Sequence, residues 1–269
     1  MKRAPLKHKS RIKRLFWDIE TSPNIVLSWR IGYQINIDHD NVLKERAIIC
    51  IGYKWEHDDE VHCLHWDKHQ SDKDMLFKFM QVAGEADELI AHNGDRFDMP
   101  WFKARCVFHK IETMPSYKTI DTLQWARKKF LFNSNRLDYI AKFLGIGGKI
   151  HTEYNLWKKV VLDNDKKALK DMITYCKYDV LLLEKVYHKL AIHVQHKTHA
   201  GAVAGRDQWT CAYCGSDEVI KNMTRFNASG SRRHVMKCKS CHGMYSISDK
   251  IFKDYQEVKF DKSDKHLVK

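Results

Sequence analysis

The sequence predicts an α/β fold, a mixed sheet flanked by helices, followed by a small β module stapled by a metal ion. Three observations carry that expectation: four strand-like segments in succession near the N-terminus, helical periodicities after them, and two Cys-x-x-Cys pairs near the C-terminus. A chain of 269 residues has room for one substantial domain and a smaller one.

The first strand is Leu15-Phe16-Trp17-Asp18-Ile19-Glu20-Thr21. Strand alternation sends Phe16, Asp18 and Glu20 to one face and Leu15, Trp17 and Ile19 to the other. Two carboxylates side by side in a largely buried strand repel each other and lose hydration unless a cation neutralises them. Oxygen ligands on a rigid strand suit Mg²⁺ or Mn²⁺. An isolated Asp-x-Glu pair on a solvated face would mean nothing, so its meaning rests on the acids that later segments of the chain supply.

Residues 24–31, with Ile25, Leu27, Trp29 and Ile31 alternating, 47–55 and 61–66 read as three further strands, which starts the sheet antiparallel. A helix comes next, with Ser71 as its expected N-cap and Gly84 near its end. Residues 88–93 form a short strand leading into a helix whose first turn holds Pro100, with Asp98 as a natural cap. Residues 118–122 form another short strand. Residues 121–132 and 136–144 read as helices, and 145–164 as irregular chain anchored by Trp157. The longest helix spans about 165–191. Leu169, Ile173, Cys176, Val180, Leu183, Tyr187 and Leu190 make its apolar stripe, while Asp171, Tyr175 and Asp179 stack on the neighbouring line at i, i+4 and i+8. Asp179 beside a buried stripe is expected either to form a surface ion pair or to share a metal with Asp18 and Glu20.

Residues 1–13 are a basic arm and 194–208 a linker whose histidines, with His188 and His193, fit no tidy metal geometry. Cys211-Ala-Tyr-Cys214 and Cys238-Lys-Ser-Cys241 bracket a span with a hairpin turn at Asn227-Ala-Ser-Gly230. Four thiolates so spaced hold one structural Zn²⁺, which substitutes for a core too small to fold alone. The ribbon is expected over 209–248 and a charged tail over 249–269. Cys50, Cys63, Cys106 and Cys176 are scattered and read as packed thiols. Arg232 and Arg233, among other basic residues on the hairpin strands, are candidate nucleic-acid contacts.

Lys and Arg number 47 against 34 Asp and Glu, a net charge of +13 that fits a polyanionic partner. No secretory h-region, membrane-length apolar run or basic amphipathic helix is present. No membrane partner is therefore expected, and an intracellular, cytoplasmic protein is.

Together these segments resemble the 3′→5′ exonucleases that carry four acidic metal ligands on a ribonuclease H-like fold. Asp18-Ile-Glu20 matches the first motif, Asn93-Gly-Asp-Arg-Phe97-Asp98 the second and Tyr175-Cys-Lys-Tyr-Asp179 the third. The second and third look like the exonuclease domain of family B DNA polymerases and its free-standing, often phage-encoded relatives, for which the host cytoplasm is the expected location. A sister subclass has His where this chain has Thr174, so the chain resembles the tyrosine subclass. The resemblance covers about residues 13–192, and the exonuclease domain is expected over 14–193. No polymerase domain is expected in the residues after it.

The resemblance implies two Mg²⁺ or Mn²⁺ ions acting on a 3′ end, with release of 5′-mononucleotides. Asp18 would bridge both ions, Glu20 and Asp179 favour the ion of the attacking water, and Asp98 help hold the other. Tyr175 would orient that water, and Asn93 and Phe97 would position the terminal nucleotide. Asp95 competes with Asp98 for the second-motif role, and the place of Asp98 after the aromatic favours it. The expected partners are single-stranded DNA 3′ ends and a DNA polymerase or other replication protein, in replication, repair or proofreading in trans. Exoribonuclease action and a non-catalytic nucleic-acid-binding adaptor are the alternatives.

Overall fold

The apolar run in strand β1 (Arg14–Thr21) leaves both of its faces in need of cover. The computed structural model describes residues 12–114, 116–148 and 153–264. The outer part of the basic arm and the last five residues lie outside them. After β1 come β2 (Ile25–Val26), β3 (Val42–Lys44), β4 (Ile48–Trp55) and β5 (His62–His65). Next in the chain are α1 (Lys73–Gly84), β6 (Glu88–Ala91), α2 (Asp98–Phe108), β7 (Thr119–Asp121), α3 (Thr122–Lys129), α4 (Leu137–Phe143), α5 (Asn155–Val161) and α6 (Lys166–Ala191). The main sheet has the order β5-β4-β1-β6-β7. β1 pairs antiparallel with β4 and parallel with β6, so the strand with the paired acids is central and the sheet is mixed, as expected.

One face of β1 sends Leu15, Trp17 and Ile19 into a core with Leu76 and Phe79 of α1 and Phe102 of α2. Trp17 stacks on Phe79 at 5.0 Å and meets Phe102 edge-on at 6.2 Å. Each such buried side chain contributes about 1.5–3 kcal/mol over its exposed state. The opposite face meets α6: Phe16 packs edge-on against Tyr187, with ring centroids 5.2 Å apart. Contacts divide the chain into two compact units, Lys13–Tyr187 and one that contains His188 onward, with α6 running through the division.

Several local expectations are corrected. Of the strand predicted over 24–31 only β2 forms, and Leu27, Trp29 and Ile31 are exposed. Its alternation is genuine, but no neighbouring strand supplies a ladder there beyond the short β2–β3 pair. The excursion 27–41 is closed at its neck. Ser22 N–H donates to Ala47 O at 2.9 Å, Ala47 N–H to Ser22 Oγ at 2.9 Å and Arg46 N–H to Asn24 Oδ1 at 3.0 Å. Helix α1 starts at Lys73, after Asp72 rather than at a Ser71 cap, and the Asp72 side chain makes no capping bond. Its carboxylate is buried and taken instead by Arg105, His109 and Ile48 N–H, at 2.6–2.9 Å. Part of the span expected to be irregular is helix α5, with Val160 and Val161 buried and Trp157 packed beside them.

The second unit holds α7 (Ala200–Val203), β8 (Val219–Phe226), β9 (Arg232–Cys238), β10 (Met244–Ser248) and α8 (Asp249–Asp264). β9 is the middle strand of a three-stranded antiparallel sheet. Trp209, Val219, Met236, Tyr245, Ile247 and Phe252 form its core. Residues 194–208, expected as a linker, carry α7, whose Ala200 N–H donates to Ala212 O at 2.8 Å. His199 is no loose histidine, because its Nδ1 caps α7 and its Nε2 bonds Gln208 O at 3.0 Å. The expected charged tail contains α8, which buries Phe252 and rests Tyr255 on the same core.

Candidate active site

Asp18 and Glu20 stand two apart on β1, on the face turned to α6, and Asp179 reaches them from that helix. One carboxylate oxygen from each lies within 4.8 Å of the others. Asp179 is buried, and Asp18 and Glu20 are half-buried. Three carboxylates this close and this dry repel one another, and a divalent cation relieves both penalties. An all-oxygen donor set fits Mg²⁺ or Mn²⁺.

The close approach of α6 depends on Gly52, which sits opposite Asp18 in the β1–β4 register. A Cβ on Gly52 would lie 2.9 Å from Cys176 Sγ, 3.1 Å from Val180 Cγ2 and 3.2 Å from Cys176 O. With no side chain at that position, α6 can come down far enough to bring Asp179 to Asp18. Sequence reasoning passed over Gly52, although a glycine inside Ile48–Trp55, otherwise a β-forming run, signals a close backbone approach.

Asp98 lies outside the cluster of three. It opens α2 and is buried, and its Oδ1 accepts Ile19 N–H at 3.1 Å. The β1–β6 ladder ends at Phe16 and Ile90, and Asp98 takes an N–H further along β1 that a buried strand cannot leave unmet. Asp95 is exposed. Asn93 holds a left-handed φ of 74°. Its N–H donates to Asp121 Oδ1 at 2.9 Å, and that same oxygen caps α3 through Leu123 N–H and Gln124 N–H. The next residue must be small, because a Cβ on Gly94 would collide with Ala91.

Two clefts adjoin these residues. One, of about 280 Å³, is lined by Glu20, Pro23, Arg46, Phe97, Tyr154 and Trp157 among others. The other, of about 520 Å³, is lined by His92, Asn93, Arg127, Asn135, Arg136 and Asp138 among others. Tyr175 lies one helical turn before Asp179 on α6, half-buried, with the Trp157 ring edge-on at 6.4 Å. Asp171, one turn further back, is exposed and lies outside the carboxylate cluster.

In the other unit the Sγ atoms of Cys211, Cys214, Cys238 and Cys241 lie within 4.8 Å of one another. The Cys211–Cys241 and Cys214–Cys238 separations are 3.6 and 3.7 Å, close to the ~3.8 Å edge of a tetrahedron with ~2.3 Å Zn–S bonds. The hydrogen bond with Cys211, then that with Cys214, holds the Cys241 thiol below the usual thiol range, while the hydrogen bonds with Cys214 and Cys241 push the Cys211 thiol up. The four thiols fit a zinc ribbon. Arg232 and Arg233 lie on β9. Arg232 is exposed near Asp249 at 3.8 Å, and Arg233 is engaged by Ser246 Oγ and O at 3.3 and 3.2 Å.

A central strand bearing paired acids, a third acid from α6 and a mixed five-stranded sheet define a ribonuclease H-like arrangement. The chain belongs to the RNase_H superfamily, whose profile matches residues 34–191. The matched stretch includes Asp98, Tyr175 and Asp179, and β1 precedes it. Among solved structures the chain is similar to the family B DNA polymerase from the hyperthermophilic archaeon Pyrobaculum calidifontis. The TM-score is 0.53 with 15% identity, over 68% of this chain and 25% of that one. It thus spans about a quarter of the length of that polymerase, and the likeness is one of fold. No curated protein matches the sequence. Among the described residues, no helix is long and apolar enough to cross a membrane.

Proposed function

We propose that the chain is a metal-dependent 3′→5′ exonuclease acting on single-stranded DNA ends. The observation that carries this reading is the convergence of Asp18, Glu20 and Asp179 from β1 and α6. Divalent ions bound there supply an activated water and charge stabilisation for the leaving 3′ oxygen. Asp18 would be a ligand to the divalent ions, with Glu20 and Asp179 beside it. Glu20 and Asp179 would favour the ion that activates the attacking water. Asp98, whose Oδ1 accepts Ile19 N–H, would help hold the other. Tyr175 would orient the water by hydrogen bonding. Phe97 and Asn93, each lining one of the two clefts, seat the terminal nucleotide by stacking and hydrogen bonding.

The zinc ribbon, through Arg232 and Arg233, holds the substrate strand or docks a replication protein. The test is digestion of 5′-labelled single-stranded DNA and RNA with Mg²⁺, Mn²⁺ or EDTA, beside Asp18→Ala. Stepwise, metal-dependent shortening of the DNA that the variant lacks is the expected result. Faster loss of the RNA would move the substrate to RNA, and binding without cleavage under any condition would make the chain an adaptor.

A further inference from the structure

Outside the zinc ribbon the chain has four cysteines, and the fold gathers three of them. Cys50 of β4, Cys63 of β5 and Cys176 of α6 are up to 126 positions apart in sequence, yet their Sγ atoms lie within 4.8 Å of one another. The fourth, Cys106, packs in the core on the other side of the sheet, as a lone structural thiol does. Cys50 and Cys176 are fully buried, whereas Cys63 is half-buried on β5, the edge strand of the sheet. The cluster is therefore enclosed but reachable from the sheet edge. Its existing hydrogen bonds to oxygen are long: Cys63 Sγ to Leu64 O and Cys176 Sγ to Asp18 O, both at 3.6 Å.

We propose that Cys50, Cys63 and Cys176 form a second soft-metal site, one that takes a thiophilic divalent d¹⁰ ion such as Zn²⁺ or Cd²⁺ through three thiolates. Three sulfurs around one ion at ~2.3 Å sit about 3.8–4.0 Å apart, so the cluster closes on an ion with shifts of less than about 1 Å. Thiolate sulfur selects such ions over Mg²⁺ and Mn²⁺, which separates this site chemically from the carboxylates. On binding, each thiol gives its proton to solvent, and three thiolates with one divalent ion leave a single net negative charge. The site is distinct from the carboxylate cluster but shares its supports. Cys50 stands opposite Glu20 in the β1–β4 register, and Cys176 lies next to Tyr175 and three residues before Asp179 on α6.

The test uses the full chain, purified with its ribbon zinc and a thiol-free reductant and titrated with Cd²⁺. Metal content is counted by native mass spectrometry, and thiolate-to-metal charge transfer is followed in the ultraviolet. The wild type is expected to hold two soft ions per chain and Cys63→Ser one. A wild-type chain that saturates at one ion, or a Cys63→Ser chain that still holds two, overturns the proposal. A second measurement needs no variant: iodoacetamide labelling of Cys63, located by peptide mapping, with and without Cd²⁺. Bound thiolate is shielded from alkylation, so labelling is expected to slow about tenfold or more; an unchanged rate refutes the site.

Discussion

Replacing Gly52 by alanine tests whether the separation of α6 from the sheet sets the geometry of the acids. The new Cβ would lie 2.9 Å from Cys176 Sγ and 3.2 Å from the Cys176 carbonyl, where ordinary contact begins near 3.4 Å. The sulfur can swing aside, but the carbonyl belongs to the helix backbone, so α6 must retreat by a few tenths of an ångström, and by about 0.5 Å if the sulfur stays. Asp179 and Tyr175 go with it. A misplacement of about 1 Å can cost about 10²-fold in rate, so about tenfold is expected here, in kcat rather than KM. Overpacking costs about 1–3 kcal/mol, and the less flexible unfolded chain offsets about 0.4–1 kcal/mol of that. The net loss is thus about 1 kcal/mol, read from urea midpoints. Steady-state hydrolysis of a single-stranded oligonucleotide gives the rate. Adding Cys176→Ala removes the nearest clash and is expected to restore part of the activity. Full activity and unchanged stability in Gly52→Ala would refute the argument that this contact positions Asp179.

Asp18→Asn is expected to lower hydrolysis by about 10³-fold, since several kcal/mol of charge stabilisation disappears with the ligand. Its thermal midpoint should equal or exceed that of the wild type, because one member of a repelling carboxylate cluster is neutralised; a large fall in midpoint would contradict that repulsion. Burial raises the Asp72 carboxyl, but the Arg105 hydrogen bond, then Ile48 N–H and His109, outweigh it and hold it below the usual carboxylate range. Its contribution to stability is therefore complete above the unfolded value near 3.9 and is lost as pH falls through the lower native value. Urea midpoints between pH 6 and 2 should show a shallower acid decline in Asp72→Asn than in the wild type, while Asp72→Ala, which strands half-buried Arg105, is expected to cost about 3 kcal/mol near neutral pH. Stripping zinc with a strong chelator should abolish hydrogen-exchange protection in β8, β9 and β10 and spare β1 and β6, because the ribbon core is too small to stand without its ion; retained protection would make the thiols structural without metal.

The parts of this molecule legible in sequence are those governed by local periodicity. The period-two run of β1 and the three- and four-residue stripe of α6 appear where they are expected, and the Cys-x-x-Cys pairs meet through a hairpin whose turn falls at Asn227–Gly230. Leu27, Trp29 and Ile31 show the limit of the same logic, since alternation marks a segment able to pair but does not provide a partner. Helix α8 is hidden in the opposite way: Lys and Asp dominate its composition, while Ile251, Phe252, Tyr255 and Val258 recur on one helical face. Helix α5 lacks a capping side chain at Tyr154 and so gives no start signal. For the site, motif spacing points to the acids, but it cannot tell that Asp98 spends one oxygen on Ile19 N–H. Nor can it place Gly52 under α6 or bring Cys176 to Cys50 and Cys63, because each of those depends on how distant elements pack.

The neck formed by Ser22, Asn24, Arg46 and Ala47 has an implication for how this protein can change over time. A loop whose ends are already fastened to each other can be lengthened, trimmed or exchanged at roughly 0.6 kcal/mol per doubling of its length. Both roots, Pro23 and Arg46, line the same cleft as Glu20, so whatever is grafted between Leu27 and Asn41 begins and ends beside the carboxylates while the strand that bears them is left alone. The excursion can thus be exchanged as a unit, with the strand that carries Asp18 and Glu20 untouched by its length or sequence.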